Sequence, residues 1–335
     1  MQEFLDDEQT GKKIEWREKK IPADEISGSL KRIGSKSKGE RMAACSDYLV
    51  FKKYEDETMR LHSANFCKVR LCPMCEWRKT LKMYGQVSKI MDYVEATEKY
   101  QFLFLTLTAK NVPGENLSAE LDKLFHAFKK LNLLKIFTDN VRGWYRALEV
   151  THRWVRGDYH PHFHILLAVD ETYAKYGHAY IEQHEWIKIW RQCLSANYDP
   201  NVDIRAVKPA QGDETNYSKA VAEITKYTVK SADLIYKPSE KLIAQEGKTY
   251  AETIAKKKTD AVMRVMDSAL HGRRLTAFGG RLKEIKSKLD LEDAEKGDLV
   301  NVDNEPEIRN DLAYVLVRYV WDKQYQDYIK HNEND

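Results

Sequence analysis

The stretch His160-Pro161-His162-Phe163-His164-Ile165-Leu166-Leu167-Ala168-Val169 decides how the chain is read. Its apolar, β-branched end is that of a buried strand. A strand alternates faces, so His160, His162 and His164 share one face while Phe163, Ile165 and Leu167 take the other. Neutral imidazoles side by side on a rigid strand can share a divalent metal. The plainer alternative is a polar face open to solvent, with histidines there by chance. Three of the ten histidines in 335 residues at strict alternation argue against it.

Working outward, Trp144 to Thr151 reads as a strand that runs through His152–Asp158 into the histidine strand, an antiparallel hairpin. Glu149 interrupts its apolar run, and a buried carboxylate is costly unless paired or bound to a metal. Glu149 is therefore the expected third ligand beside His162 and His164, with Asp158 and His160 as fallbacks. Upstream, Gln101–Thr108 reads as a central strand ending in the loop Ala109–Gly114. Leu117, Leu121, Leu124, Phe125, Phe128 and Leu131 then form a helical stripe that core packing explains. Trp186, Ile187, Trp190, Cys193 and Leu194 form another, which makes Cys193 a core residue. Asn201–Lys208 alternates as a further strand. A helix is expected over Glu214–Lys230, where Glu223 and Tyr227 are four apart and share a face, joined by Lys230. Alone, that trio is no more than a solvated helix edge.

The composition excludes some classes. A net charge of +3 sets up no global basic field, so any nucleic-acid contact rests on local clusters. No apolar run approaches the ~20 residues of a membrane helix, and the acidic start Met1–Glu8 has no signal-peptide core. The expectation is a cytoplasmic protein whose five cysteines are reduced. Cys67, Cys72 and Cys75, with Cys45 or His62, then have the spacing of a structural zinc site, against the alternative of buried thiols. Around them Lys68, Arg70, Arg78 and Lys79, with Lys82, Trp77 and Tyr84, suit a nucleic-acid backbone, although a charged helix face looks similar.

Five segments follow. Residues 1–40, charged and broken by Gly and Ser, read as a flexible arm. Residues 41–95 form a Cys-rich region where zinc binding and DNA contact are expected, and 96–235 hold the histidine hairpin, the segment in which a catalytic core is expected. Residues 236–289 are Lys-rich and helical. Residues 290–335 begin with eight acids and one Lys between Asp290 and Glu307, an expected exposed linker. Tyr314–Trp321 is apolar enough to pack back as a terminal strand before a polar tail.

With these pieces placed, the sequence resembles the rolling-circle replication initiators of small multicopy bacterial plasmids, which are HUH endonucleases. Phe104-Leu105-Thr106-Leu107-Thr108 looks like the family's first motif. His160-Pro161-His162-Phe163-His164 looks like its metal motif. Glu223-Ile224-Thr225-Lys226-Tyr227-Thr228-Val229-Lys230 looks like the motif that holds the nucleophilic tyrosine. Cys67–Lys79 resembles the cysteine-rich stretch of one branch. The likeness covers roughly residues 41 to 285.

The resemblance implies an α+β fold, a central antiparallel sheet with helices on one face and the metal site on the other, plus a Cys-rich region whose spacing leaves zinc on Cys45, Cys67, Cys72 and Cys75 as one of two readings, buried thiols being the other. It implies Mn²⁺ or Mg²⁺ on His162, His164 and Glu149, with Tyr227 as nucleophile. Lys230 or Lys226 would assist a phenol whose free pKa is ~10, and Lys226 joins the DNA-contacting set. The product would be a 5′-phosphotyrosyl link and a 3′-hydroxyl primer. Glu223 would then serve the terminating cleavage. The implied partners are single-stranded or hairpin origin DNA, a host helicase and a DNA polymerase, with a homodimer left open. The rivals are an HUH transposase or relaxase, and a zinc-containing DNA-binding regulator without catalysis.

Overall fold

The computed structural model describes residues 3–5, 16–173, 180–208, 217–225, 228–302 and 313–331. In chain order the elements begin with α1 (Trp16–Arg32), α2 (Lys36–Ala43), β1 (Tyr48–Tyr54), β2 (Met59–Ala64), α3 (Pro73–Thr97) and β3 (Tyr100–Thr108). After a short 3₁₀ turn follow α4 (Leu117–Leu131), α5 (Lys135–Asn140), β4 (Val141–Arg153), β5 (Asp158–Asp170), α6 (Gln183–Leu194) and β6 (Val202–Ala206). The remainder comprises α7 (Ser218–Ile224), α8 (Ser231–Leu234), α9 (Glu240–Glu246), α10 (Lys248–Ala269), β7 (Thr276–Gly279), α11 (Gly280–Lys288), β8 (Tyr314–Asp322) and β9 (Asp327–His331).

The expected α+β class is what forms, as two compact units. One takes Met1–Lys82, Leu234–Arg264 and Asp293–Asp335; the other takes Met83–Asp233 and Val265–Glu292. These boundaries cut across the five segments drawn from composition.

The first unit is built on an antiparallel sheet of order β2-β1-β8-β9. Residues 16–32 are not a flexible arm. Trp16, Lys20, Ala23, Ser27 and Leu30 recur at helical spacing and are all buried. The stripe is hidden in the sequence because two of its five positions are polar. Lys20 is tolerated there because its ammonium donates to Ala43 O (2.8 Å), Cys45 O (2.9 Å) and Asp47 Oδ1 (2.8 Å), so a buried charge is fully paired. Trp16 packs edge-on against Trp77 and Phe51, at 4.8 and 5.9 Å between ring centroids.

The acidic segment after Asp290 is likewise no exposed linker up to residue 302. Leu299 and Val302 are buried, and Arg78 donates to Leu299 O (2.9 Å) and Val300 O (2.7 Å). The expected terminal strand is β8, and part of the supposed polar tail pairs with it as β9, burying Tyr328 completely.

The second unit carries a five-stranded antiparallel sheet of order β6-β3-β5-β4-β7. Strands β3, β4, β5 and β6 fall where alternation places them. On one face Leu105, Leu107, Leu148, Phe163, Ile165 and Leu167 are buried, as are Leu117, Leu121, Leu124 and Leu131 of α4 and Trp186 and Trp190 of α6. Burial of such side chains contributes ~1.5–3 kcal/mol each and fixes which face each strand presents. The Trp190 indole donates to Thr108 O (2.8 Å), tying α6 to the end of β3. Strand β7, inside the Lys-rich region, was not expected. It can run beside β4 because Gly279 has no side chain; a Cβ there would lie 2.2 Å from the Trp144 indole.

The helix expected over 214–230 is shorter. Residues 209–216 lie outside the described residues, α7 ends at Ile224, and Thr228–Val229 is a bend. The Thr228 carbonyl accepts from the Val150 amide (2.8 Å), so it serves the sheet rather than a helical turn. Lys230 is therefore not on a helix face with Glu223.

Candidate functional site

The open face of the second sheet collects the side chains singled out by the sequence. Register places Glu149 directly opposite His162 across β4–β5, and Thr106 and Thr108 opposite His164 and His162 across β3–β5. Directly paired residues point to the same face, so the three expected ligands converge. Glu149 Oε2 lies 2.8 Å from His164 Nε2 and 3.3 Å from His162 Nε2.

The second nitrogen of each ring is engaged elsewhere. His162 Nδ1 is 3.2 Å from His160 O, and His164 Nδ1 is 3.5 Å from Thr106 Oγ1. A histidine oriented through one nitrogen presents the other for ligation, the usual arrangement in metal sites. The donor set of one carboxylate and two imidazoles fits a divalent cation.

Burial alone would push the Glu149 carboxyl up. The hydrogen bonds from His162 and His164 and the charges of His162 and Lys230 outweigh it and hold the group well below the usual carboxylate range. Lys230, half exposed, reaches Glu149 Oε1 at 3.2 Å. His160, the fallback ligand, stays outside the converging set, and burial together with the charges of His162 and Arg153 pushes its pKa down to about 4. Asp158, the other fallback, instead accepts from Asn111 Nδ2 (3.1 Å).

Two further members come from the edge strand β6 and from α7. Arg205 Nη2 donates to Glu223 Oε1 (2.6 Å), and its guanidinium lies 4.8 Å over the Phe104 ring. Phe104 in turn stacks on His164, 5.5 Å between centroids. A layered Arg205–Phe104–His164 arrangement thus runs from Glu223 to the ligand set. Sequence reasoning missed Arg205; the outward alternation of Asp203 and Arg205 on an edge strand was the available signal. Tyr227 and Lys226 lie outside the described residues. Their neighbour Thr228 is hydrogen-bonded to Val150, next to the candidate ligand Glu149.

The second cluster is in the first unit. Cys45, Cys67, Cys72 and Cys75 bring their sulfurs together. Cys75 Sγ is 3.6 Å from both Cys45 Sγ and Cys67 Sγ, and Cys72 Sγ is 3.7 Å from Cys45 Sγ. A disulfide needs ~2.05 Å, whereas four sulfurs ~2.3 Å from a central zinc stand ~3.8 Å apart. Backbone amides of Cys67, Lys68 and Val69 point at the sulfurs of Cys45, Cys75 and Cys67, at 3.3–3.4 Å. Lys68 and Leu71 adopt φ of 52° and 70° to wrap the chain around them. The alternative ligand His62 is exposed and outside the cluster.

The expected DNA-contacting set is only partly accessible. Arg78 is 3 % exposed, with its guanidinium on backbone carbonyls and stacked 5.4 Å from Trp16. Lys79, largely buried, pairs with Glu76 Oε1 at 2.8 Å. Both are corrected from nucleic-acid contacts to internal structure, because the 298–302 segment and Glu76 supply their acceptors. Lys68 is exposed but donates to Lys296 O (3.1 Å), and Arg70 is half-buried. No helix among the described residues is long and apolar enough to cross a membrane.

Among the described residues, fold and site define an α+β protein with two metal-capable centres, one of four sulfurs and one of a carboxylate and two imidazoles beside Lys230. The model of a family described as replication proteins matches residues 58–329. The chain belongs to this family, and it is a plasmid replication initiator. It is 38% identical to the Protein rep of Bacillus amyloliquefaciens over 96% of this chain and 95% of that one. With the Protein rep of Streptococcus pneumoniae serotype 2 it shares 34% identity over 98% and 96% of the two chains. With that of Lactiplantibacillus plantarum it shares 36% over 97% and 98%. No solved structure matches the chain significantly.

Proposed function

We propose that this initiator works by rolling-circle replication, nicking one strand of its origin with Tyr227 as nucleophile. The observation that carries the reading is the convergence of Glu149, His162 and His164 on the open face of the sheet. A divalent cation there, Mn²⁺ or Mg²⁺, would supply charge stabilisation to the non-bridging oxygens of the scissile phosphate.

The chain's own groups do the rest. The Tyr227 phenol oxygen attacks phosphorus and gives up its proton to solvent, and the bond from phosphorus to the 3′ oxygen breaks as that oxygen takes up a proton from solvent. One DNA end is left as a 5′-phosphotyrosyl ester and the other as a free 3′-hydroxyl, which a host polymerase extends behind a helicase. Lys230, already beside Glu149, supplies a positive charge near the reacting phosphate and phenol. Glu223 acts as general base for the terminating cleavage, held in place by Arg205. The four-cysteine cluster binds structural Zn²⁺, since four protein ligands leave no open position.

Purified protein incubated with labelled single-stranded origin DNA and Mn²⁺ is expected to yield a DNA–protein adduct on a denaturing gel. That adduct is expected to vanish in Tyr227→Phe, whereas Glu223→Ala forms it and resolves it poorly. Cleavage surviving in Tyr227→Phe moves the nucleophile elsewhere. Binding without cleavage under every divalent cation favours the rival reading of a non-catalytic regulator.

A further inference from the structure

Among the described residues the sheet of the first unit buries most of one face, apart from Val315 at the start of β8, and leaves the other largely uncovered. Leu49, Phe51, Tyr319 and Trp321 are buried. On the opposite face the β1–β8 register pairs Tyr54 with Tyr314, Lys52 with Leu316, Val50 with Arg318 and Tyr48 with Val320. Across β1–β2, Arg60 stands opposite Lys52. Three tyrosines and three cations therefore share this surface, and Tyr314 and Leu316 are 47% and 56% exposed.

Rings and cations also touch. Lys52 Nζ lies 4.4 Å over the Tyr314 ring, Arg318 lies 5.3 Å over Tyr48, and Tyr54 meets Tyr314 at 6.0 Å. Among the described residues Lys52, Arg60 and Arg318 make no ion pair. The neighbouring acids sit at the sheet's ends, Glu55, Asp56 and Glu57 in the β1–β2 turn and Asp322 and Asp327 beside the β8–β9 turn.

Such ring–cation and ring–ring contacts steady the sheet, but cations that make no ion pair, interleaved with tyrosines on one surface, are also placed to meet a ligand. They match what a single nucleic-acid strand presents: unstacked base faces for the rings and phosphates for the cations. A duplex hides its base faces and would use the cations alone. We propose that this open face binds single-stranded DNA, stacking bases on Tyr48, Tyr54 and Tyr314 and taking phosphates on Lys52, Arg60 and Arg318. The inference stands apart from the nicking reading, because it concerns non-covalent binding by the other unit.

The test is fluorescence anisotropy of the full-length protein with a labelled oligothymidine of about 16 nucleotides, without added metal. Stacking contributes ~1–3 kcal/mol per base, so Tyr54→Ala/Tyr314→Ala is expected to weaken binding at least ~10-fold. Tyr54→Phe/Tyr314→Phe keeps the rings and is expected to retain it. Lys52→Gln/Arg318→Gln is expected to flatten the slope of log affinity against log salt by about 1.4, at ~0.7 per lost phosphate contact. Circular dichroism checks folding, and the single variant Tyr314→Ala, at an exposed site, serves if the double variant fails to fold. An alanine variant that is folded and binds like wild type overturns the proposal. So does an equal loss for duplex DNA, which would make the face a duplex-backbone surface.

Discussion

The cysteine cluster and the Glu149–His162–His164 centre are both metal-capable, and they differ in how completely the protein closes around them. Four sulfurs, three of them buried, meet at the start of α3 and are wrapped by backbone amides. The other centre has three candidate ligands on two strands, 7–12 % exposed, with the half-exposed Lys230 at its side. Four protein ligands leave nothing for a substrate, whereas three do. One arrangement is suited to holding a fold together and the other to meeting a phosphate.

The largest expected contrast is in stability. Cys75→Ser should abolish cooperative unfolding of the first unit in calorimetry and remove zinc from the purified protein. Structural zinc contributes ~10–16 kcal/mol in small metal-dependent folds, as much as a whole domain's ~5–15 kcal/mol. His162→Ala should move Tm by no more than ~4 °C, the scale of ~1 kcal/mol. If both variants unfold alike, the distinction between a structural and a working centre is lost.

Next is the charge of Glu149. Glu149→Gln keeps its shape but removes the anion that both imidazoles and Lys230 face. The Mn²⁺ concentration for half-maximal nicking should rise at least ~10-fold, since even outer-shell losses cost ~10–100-fold. An unchanged requirement would mean that Glu149 is not a ligand.

A smaller effect concerns acid. The His160 pKa, ~6.5 when free, falls to about 4 in the fold, so the native state binds fewer protons than the unfolded state between those values. Stability should therefore decline as pH falls from about 6.5 toward 4. Tm followed across this window should fall more steeply for wild type than for His160→Asn; parallel curves would remove His160 from the account.

The smallest is Arg205→Ala. An exposed ion pair contributes ~0.2–1 kcal/mol, so release of the adduct should slow by up to ~5-fold. An unchanged rate of release would leave Arg205 a surface residue.

What was legible follows from what is local. Strands β3 to β6 announce themselves by alternation, and Glu149 stands out as a charge inside an apolar strand. The cysteines are legible by spacing. Helix α1 was not, because Lys20 and Ser27 occupy buried positions and their partners lie elsewhere in the chain. Arg78 and Lys79 look like DNA contacts until Glu76 and the carbonyls at Leu299 and Val300 are seen to engage them. Strand β9 looks like a polar tail in the sequence because a five-residue strand is recognisable only beside β8. Register across the sheet, which brought Arg205 to Glu223 by way of Phe104, is a long-range property that no local pattern carries.

The turn between β4 and β5, Trp154 to Gly157, contributes no ligand, yet it measures out the hairpin. Its Arg156 and Gly157 amides return to Arg153 O at 3.1 and 2.7 Å, closing the turn on the end of β4. Sliding one strand by a single residue turns each side chain to the opposite face, and Glu149 would then point away from His162. A change of length in these four positions is accordingly felt at the paired side chains of Glu149 and His162, while the left-handed φ of 69° at Gly157 restricts that position to residues that tolerate it.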